Sequence, residues 1–341
     1  MPPPAPLFRD PIYDGAADPT IIWNRQESNW WILYTNRRAS AEGSGVAWAH
    51  GTDIGVACFP HFAALKSGDP LESGAAQQSS TPPGSLPRPG HQEWLYRGTL
   101  RGLEFEPGRN SFWAPEVLWH DGLYHMYVSY VRGVPATWNW ERHIVHMSSA
   151  NLWDWSFESI LALSSDRVID ACVFALPGGG WRMWYKDEAN HSFSYAADSP
   201  DLYHWNVRGP AVTDCAHEGP NVFAWRGRYW MITDYWNGLG VYHSDDLETW
   251  TRQANILSTP GSRPDDGALG HHADVLVQGE RAYIFYFTHP EVVGMGSSDM
   301  TWTYARRRTS LQAAELELEG GCPVCDRDRP FELELHTSQD S

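Results

Sequence analysis

The sequence predicts an all-β chain folded as a five-bladed β-propeller, on the strength of two independent repeats and a composition that agrees with them. The first repeat is a short apolar strand followed, after a turn, by an aromatic-rich strand. The first strands read ADPTIIW (17–23), APEVLW (114–119), DACVFA (170–175), GPNVFAW (219–225) and HADVLV (272–277). Their partners read WWILYTN (30–36), LYHMYVSY (123–130), WRMWYKD (181–187), RYWMITDYW (228–236) and RAYIFYFTH (281–289). Self-similarity at roughly 50–60 residues, with several short strands per unit and no helical pattern between them, marks a propeller. Five copies give five blades, with the first strand of each lining the central channel.

The second repeat lies further out in each unit. Segments 144–155, 192–205 and 241–250 end in similar turns that place Trp155, Trp205 and Trp250 in register, where they are expected to fill space between neighbouring sheets. The blade pattern spans most of the 341 residues, so the chain reads as one propeller domain, 1–341. Segment 66–92, rich in Pro, Gly and Ser, reads as a loop inserted in the first blade. The alternating LQAAELELE (311–319) reads as the outer strand of the last blade, stretch 5–16 as the segment that completes that blade and closes the ring, and 336–341 as a frayed tail.

Composition narrows the function classes. The formal net charge of −17 and the lack of a basic stripe argue against nucleic acid and anionic membranes as partners. No run of about 18 apolar residues reads as a membrane span, and MPPPAPLFRD lacks the basic and apolar regions of a signal peptide, so the expected location is cytoplasmic. Five scattered Cys do not make a disulfide framework, and the single CPVC at Cys322 and Cys325 lacks a second ligand pair for zinc. Nineteen Trp supply flat apolar faces of the kind that stack on sugar rings.

The chemistry follows from the repeat register. With Ile21, Val117, Val173, Val222 and Val275 aligned, the residues three positions upstream are Asp18, Ala114, Asp170, Gly219 and His272, and Trp113 and Glu218 stand four upstream. A fixed offset in a structural repeat is a fixed place in space, so Asp18, Asp170, Glu218 and His272 should ring one point. Carboxyls converging from separate blades suit glycosidic bond cleavage, in which one activates water and another holds a proton for the leaving oxygen. Trp23, Asn36, Arg37, Trp113, Lys186, Asp187, Asp234 and Tyr235, near strand ends or the channel rim, are candidates to bind sugar hydroxyls, together with His271.

The ordered series DPT (18–20), WAPEV (113–117), IDACVF (169–174), HEGPNVF (217–223) and GHHADV (270–275) resembles glycoside hydrolase family 43 and its close relatives over about residues 10–305. The resemblance implies a five-bladed propeller that cleaves arabinofuranosyl or xylosyl units of oligosaccharides with inversion, expected here to be exo-acting. It implies Asp18 as general base, Asp170 as the acid that orients the donor and raises its pKa, and Glu218 as general acid. It also implies His272 as an axial residue holding a water or a metal ion such as calcium, with no other cofactor required. The HHAD sequence makes His271 and His272 alike by motif, and the register favours His272. Three alternatives stay open. A retaining sucrose- or fructan-splitting relative would carry Asn before its nucleophilic Asp, where this chain has Ala17, and Cys after its acid, where it has Gly219. The others are a hydrolase of 3,6-anhydro-galactose or another unusual sugar on the same fold, and a sugar-binding propeller without turnover. The oligomeric state is left open.

Overall fold

The computed structural model describes residues 2–59, 93–292 and 301–336. Segment 66–92 and the tail beyond 336 therefore lie outside the described residues. Five four-stranded antiparallel sheets follow one another along the chain. The first holds β1 (Ala16–Asn24), β2 (Asn29–Asn36), β3 (Asp53–Cys58) and β4 (Leu95–Thr99). The second holds β5 (Ser111–His120), β6 (Leu123–Val131), β7 (His143–Ser149) and β8 (Ser156–Ile160). The third holds β9 (Val168–Ala175), β10 (Trp181–Asp187), β11 (Phe193–Ser199) and β12 (Asn206–Val212). The fourth holds β13 (Glu218–Trp225), β14 (Arg228–Asp234), β15 (Leu239–Ser244) and β16 (Thr251–Arg252). The fifth holds β17 (His271–Gln278), β18 (Arg281–Thr288), β19 (Ser310–Glu319) and β20 (Cys322–Val324). The first strands β1, β5, β9, β13 and β17 contact one another around the axis, which makes the molecule a five-bladed propeller with these strands innermost. The α-helix described is a single turn, Tyr304–Arg307, and no described helix is long and apolar enough to cross a membrane.

The core is a set of layers between blades. Trp155 packs with blade 1 and 2 residues such as Leu33 and Met126, Trp205 against the layer of blades 2 and 3, and Trp250 edge-on to Trp184 between blades 3 and 4. Each of these Trp residues follows the same turn. Ser149, Ser199 and Ser244 accept backbone N–H bonds from the residues two and three positions on, which holds Leu152, Leu202 and Leu247 at φ of 66°, 69° and 63°. The serine hydroxyl replaces the backbone partner that the left-handed turn removes.

Ring closure differs from the sequence expectation. Segment 311–319 belongs to the third strand of blade 5, and the outer strand is Cys322–Val324. Stretch 5–16 adds no fifth strand to that sheet and pairs at isolated bridges, Phe8 with Leu311 of β19 and Gly15 with Thr309 just before it. The seams are tied instead near the axis. The residue just before each aligned apolar position is Thr20, Glu116, Cys172, Asn221 or Asp274, and four of these accept a backbone N–H from the next blade. Val173 N donates to Glu116 Oε1 (2.7 Å), Val222 N to Cys172 Sγ (3.1 Å), Val275 N to Asn221 Oδ1 (3.2 Å) and Ile21 N to Asp274 Oδ2 (2.8 Å). The last of these joins blade 5 to blade 1.

This belt places a carboxyl where ionisation is unfavourable. Burial, with Asp274 adding like-charge repulsion, pushes Glu116 from 4.5 up to about 8. Stability from the neutral carboxyl is then fully present below about pH 4.5 and is lost as pH rises through about 8. Glu116→Gln keeps an acceptor for Val173 N and cannot ionise. Its unfolding free energy relative to the parent should therefore rise between pH 5 and pH 9 in urea titrations, and an equal difference at both pH values would contradict this account.

Candidate active site

One irregularity, repeated in all five inner strands, builds the site. In β1 the pairs Ala17–Thr35 and Thr20–Leu33 leave two residues, 18 and 19, facing one. The same two-for-one bulge lies at 114–115, 170–171, 219–220 and 272–273. Its first residue is left-handed in four blades, with φ of 49° at Asp18, 45° at Ala114, 58° at Asp170 and 56° at Gly219, whereas His272 is not. A bulge re-aims the side chains around it and breaks strand alternation. The bulges thus bring Asp18 and Asp170 to the lining of a common pocket of about 540 Å³, joined by Glu218 from the position before Gly219 and by His272. Gly219 is required where it stands: a Cβ there would lie 2.8 Å from His272 Cγ.

Bonds across the seams hold the bulges. Ala114 N donates to Thr35 Oγ1 (2.8 Å), Asp170 N to Ser129 Oγ (2.9 Å) and His272 N to Asp234 Oδ2 (3.1 Å). Thr35, Ser129 and Asp234 occupy one register position on the second strands, opposite Ala17, Trp113 and Glu218. In blade 3 that position is Lys186, opposite Ile169. Its ammonium has no lone pair to offer. Gly219 N turns instead to Asp170 Oδ2 (3.1 Å), and Lys186 Nζ donates to Glu218 Oε2 (2.9 Å).

The electrostatics follow. Asp18 accepts from Arg37 Nη2 (2.9 Å), and His272 Nδ1 stands 3.7 Å from Asp18 Oδ1 and 3.9 Å from Asp170 Oδ2. Burial pushes Asp170 up to about 7, with the positive His272 and Lys186 offsetting part of that and Glu218 and Asp18 adding to it. Burial also raises Glu218, but the Lys186 charge and hydrogen bond outweigh it and pull Glu218 down to about 2. The expectation drawn from the resemblance is that Asp170 raises Glu218; in the free protein burial raises Asp170 and the Lys186 contact lowers Glu218. Burial lowers His272, yet the facing Asp170, Asp18, Glu218 and Asp234 together raise it.

That upward shift bears on calcium. The carboxylates around His272 shift it toward the imidazolium form, and a protonated ring is a poorer partner for a metal-bound water than a neutral one. Among the described residues no group of three or more His, Cys, Asp or Glu side chains is arranged to hold a metal ion. The described residues thus supply no direct ligand set for the ion, and no step below passes through it.

Of the other candidates, Arg37, Trp113, Asp234 and His271 line the pocket. Trp113 Nε1 donates to Ala49 O (2.7 Å), and His271 Nδ1 meets Asp234 Oδ2 at 3.1 Å. Trp23, Asn36, Asp187 and Tyr235 are placed elsewhere. Trp23 lies beyond the bulge on the face it shares with Ile21 and packs edge-on to Trp30, 5.5 Å away, between blades. Asn36 is buried at the end of β2 and is not part of the pocket lining. Asp187 staples a loop, accepting from Ser164, Ser165 and Asn190. Tyr235 points outward to Asp214, with Arg252 over its ring at 4.2 Å. Sequence reasoning missed Trp48, Trp138, Arg142, Glu188, Trp236 and His289 in the lining, most of which come from connections without periodicity. A signal for the bulge was present: its second residue is Pro19, Pro115, Ala171, Pro220 or Ala273, always Pro or Ala. Proline suits a place where the ladder loses a bond.

Comparison with known proteins agrees with this architecture. No protein-family model matches the chain. It is 24% identical over 290 residues to alpha-L-arabinofuranosidase 43 of Humicola insolens, a match covering 70% of this chain and 58% of that protein. The chain thus spans less than two thirds of that relative. A thermostable family-43 glycoside hydrolase superposes with a TM-score of 0.59 at 16% identity, covering 98% of this chain and all of that one. A family-43 enzyme from Xanthomonas citri complexed with xylotriose superposes with a TM-score of 0.63 at 14% identity, over 97% and 96% of the two chains. In sequence and in its five-bladed fold the chain resembles family-43 glycoside hydrolases.

The bulge generates a test independent of activity. Gly219→Ala places a Cβ against His272 in a left-handed backbone and should cost about 1–3 kcal/mol of stability in urea unfolding. A loss below about 0.5 kcal/mol, typical of an inconsequential surface change, would mean that the bulge is not tightly set.

Proposed function

We propose that the chain is a glycoside hydrolase that releases arabinofuranosyl or xylosyl units from oligosaccharides with inversion. The observation that carries this reading is the meeting of Asp18, Asp170 and Glu218, from blades 1, 3 and 4, with His272 at one pocket. In this reading Asp18, oriented by Arg37, takes a proton from water as the water oxygen attacks the anomeric carbon. The glycosidic C–O bond breaks, its electron pair passes to the leaving oxygen, and Glu218 supplies the proton that oxygen needs. Asp170, fixed by its bond from Gly219 N, orients the segment that carries Glu218. Trp138, 47% exposed and tilted against His50 at the pocket wall, offers an apolar face to a further sugar ring. Similarity to the Humicola insolens protein supports the reading.

A second reading, a sugar-binding propeller without turnover, is favoured by the ion pair from Lys186 to Glu218, which leaves the acid without its proton in the free protein. A panel of aryl arabinofuranosides and xylosides separates the two. Turnover is expected, with proton NMR showing the inverted anomer first; binding without any turnover supports the second reading, and a retained first anomer excludes inversion.

Two sets of variants test the roles. Asp18→Asn should lower kcat/KM about 10²–10⁴-fold on all substrates, whereas Glu218→Gln should do so on poor leaving groups and far less on activated aryl glycosides. Equal losses for Glu218→Gln on both substrate types would remove its acid role. Trp138→Ala should raise KM for oligosaccharides about fivefold and leave short aryl glycosides within about twofold, since stacking of a sugar ring on an aromatic face contributes on the order of 1 kcal/mol, about fivefold in affinity. An unchanged KM for oligosaccharides would show that Trp138 does not contact them.

A further inference from the structure

Three of the five blades carry an acceptor at the register position of Lys186; blade 5 has Phe287 there, and blade 3 alone puts a cation in that place. Thr35, Ser129 and Asp234, at the same register position, each accept an N–H from the next blade. Lys186 accepts nothing and reaches two carboxylates, Glu218 Oε2 at 2.9 Å and Glu188 Oε1 at 3.1 Å. It is 4% exposed, and its ammonium lies 5.1 Å from the centre of the Trp236 ring. Glu188 is more exposed to cations than one carboxylate needs: Arg142 Nη1 stands 2.7 Å and Arg167 Nη2 3.7 Å from its Oε2. Arg142 is itself buried, and its donors also hold the carbonyls of Trp138 and Trp140.

The groups that face Glu218 come from every neighbouring blade. Lys186 stands on β10, Asp170 on β9, His272 on β17 and Asp234 opposite it on β14, with Trp236 also bonding to it and Asp18 across the pocket. Of these, Lys186 is the cation in direct contact. A general acid in such a contact is ionised and cannot donate. Glu188 lies within reach of the same ammonium, so Glu218 can be released without any backbone movement.

We propose that Lys186 is a positioning residue for the general acid, a counter-ion shared between Glu218 and Glu188 that holds Glu218 ionised in the free protein and passes wholly to Glu188 when a glycoside enters the pocket. The leaving oxygen then faces Glu218 in place of the ammonium. Glu218 takes a proton from solvent and becomes the donor. The proton passed to the leaving group is balanced by the one that Asp18 removes from water and returns to solvent. Arg142 and Arg167 compete with Lys186 for Glu188 and so keep the ammonium on Glu218 until sugar hydroxyls fill the site. The inference rests on the glycosidase reading for its purpose, while the ion pair and its effect on Glu218 can be measured without turnover.

The direction of the effect follows from the charges. Lys186 pulls Glu218 down to about 2, so removing the ammonium leaves burial and the nearby Asp170 to push it upward against the weaker pull of Trp236, His272 and Arg142. The experiment is a carbon-13 carboxyl NMR titration of Glu218, assigned by its loss in Glu218→Gln, in the full chain and in Lys186→Met, Lys186→Arg and Glu188→Gln. Lys186→Met should raise the proton affinity of Glu218 by 100-fold or more. Lys186→Arg should keep it low, and Glu188→Gln should leave it low or lower it further. If Lys186→Met does not fold, Glu188→Gln carries the test through kinetics: with no second carboxylate to receive the ammonium, kcat should fall at least tenfold on a poor leaving group and little on an activated aryl glycoside. Glu218 titrating at the same pH in the parent and in Lys186→Met would overturn the proposal, as would Glu188→Gln losses that are equal for both leaving groups. Absence of turnover on every glycoside would count against the proposed function and leave the titration readable.

Discussion

Every group in the pocket depends on one backbone constraint, the two-for-one bulge that recurs at the same place in all five inner strands. Regular alternation would place residues 18, 170 and 272 on the face opposite Ile21, Val173 and Val275, three positions on, and turned toward a neighbouring blade. The bulge resets that parity and points carboxyls at the axis. A left-handed conformation costs about 1–3 kcal/mol at a residue other than glycine, and Asp18, Ala114 and Asp170 all adopt it. The bonds that Ala114 N and Asp170 N donate to Thr35 and Ser129 of the preceding blade supply part of the compensation at those two residues. Geometry at the site is therefore maintained by the ring as a whole, since the bulges at residues 114, 170, 219 and 272 are each held by a bond to the neighbouring blade.

The same logic gives the electrostatics. Two belts of side chains accept backbone N–H groups from one blade to the next, one at the level of Glu116 and Asp274 and one at the level of Thr35 and Asp234. Replacing an acceptor in the upper belt by Lys186 has two consequences at once. Asp170 must take the orphaned N–H of Gly219, which fixes its carboxyl beside Glu218. The displaced positive charge falls on Glu218 itself. One substitution in a structural pattern thus couples the shape of the site to the protonation of its acid. Buried like charges so close titrate as a group, and Asp170 and Glu218 are pushed apart in opposite directions by burial and by the ammonium.

What was read correctly and incorrectly from residues follows from the same parity. Asp18, Asp170, Glu218 and His272 share or adjoin a repeat offset, so their common lining of one pocket was legible in the sequence. Trp23 is a candidate by its place near a strand end, which does not say which end of the channel it is near; it lies at the far end of β1 and packs on Trp30 between blades. Asp187 and Tyr235 stand at strand ends, where the chain turns away from the axis, and their partners Ser164 and Asp214 are set by loops. Trp138, Arg142 and Trp48 reach the pocket from such connections and carry no period. Lys186 was visible only as a strand-end residue; its meaning needed the pairing register that places it opposite Ile169 and beside Glu218.

By itself the sequence determined the number of blades, which strand of each lines the axis, and the acids that gather there. These properties repeat, and a repeated offset in sequence becomes a repeated position in space. The tertiary structure decided how the ring is tied and how its charges balance. The last blade is joined to the first through Asp274 and the backbone of Ile21, residues 253 positions apart. Lys186 and Glu218 meet across a blade seam. Contacts of that kind depend on the curvature of the closed ring, and no local pattern in the chain records which carboxylate an ammonium on the neighbouring blade will reach.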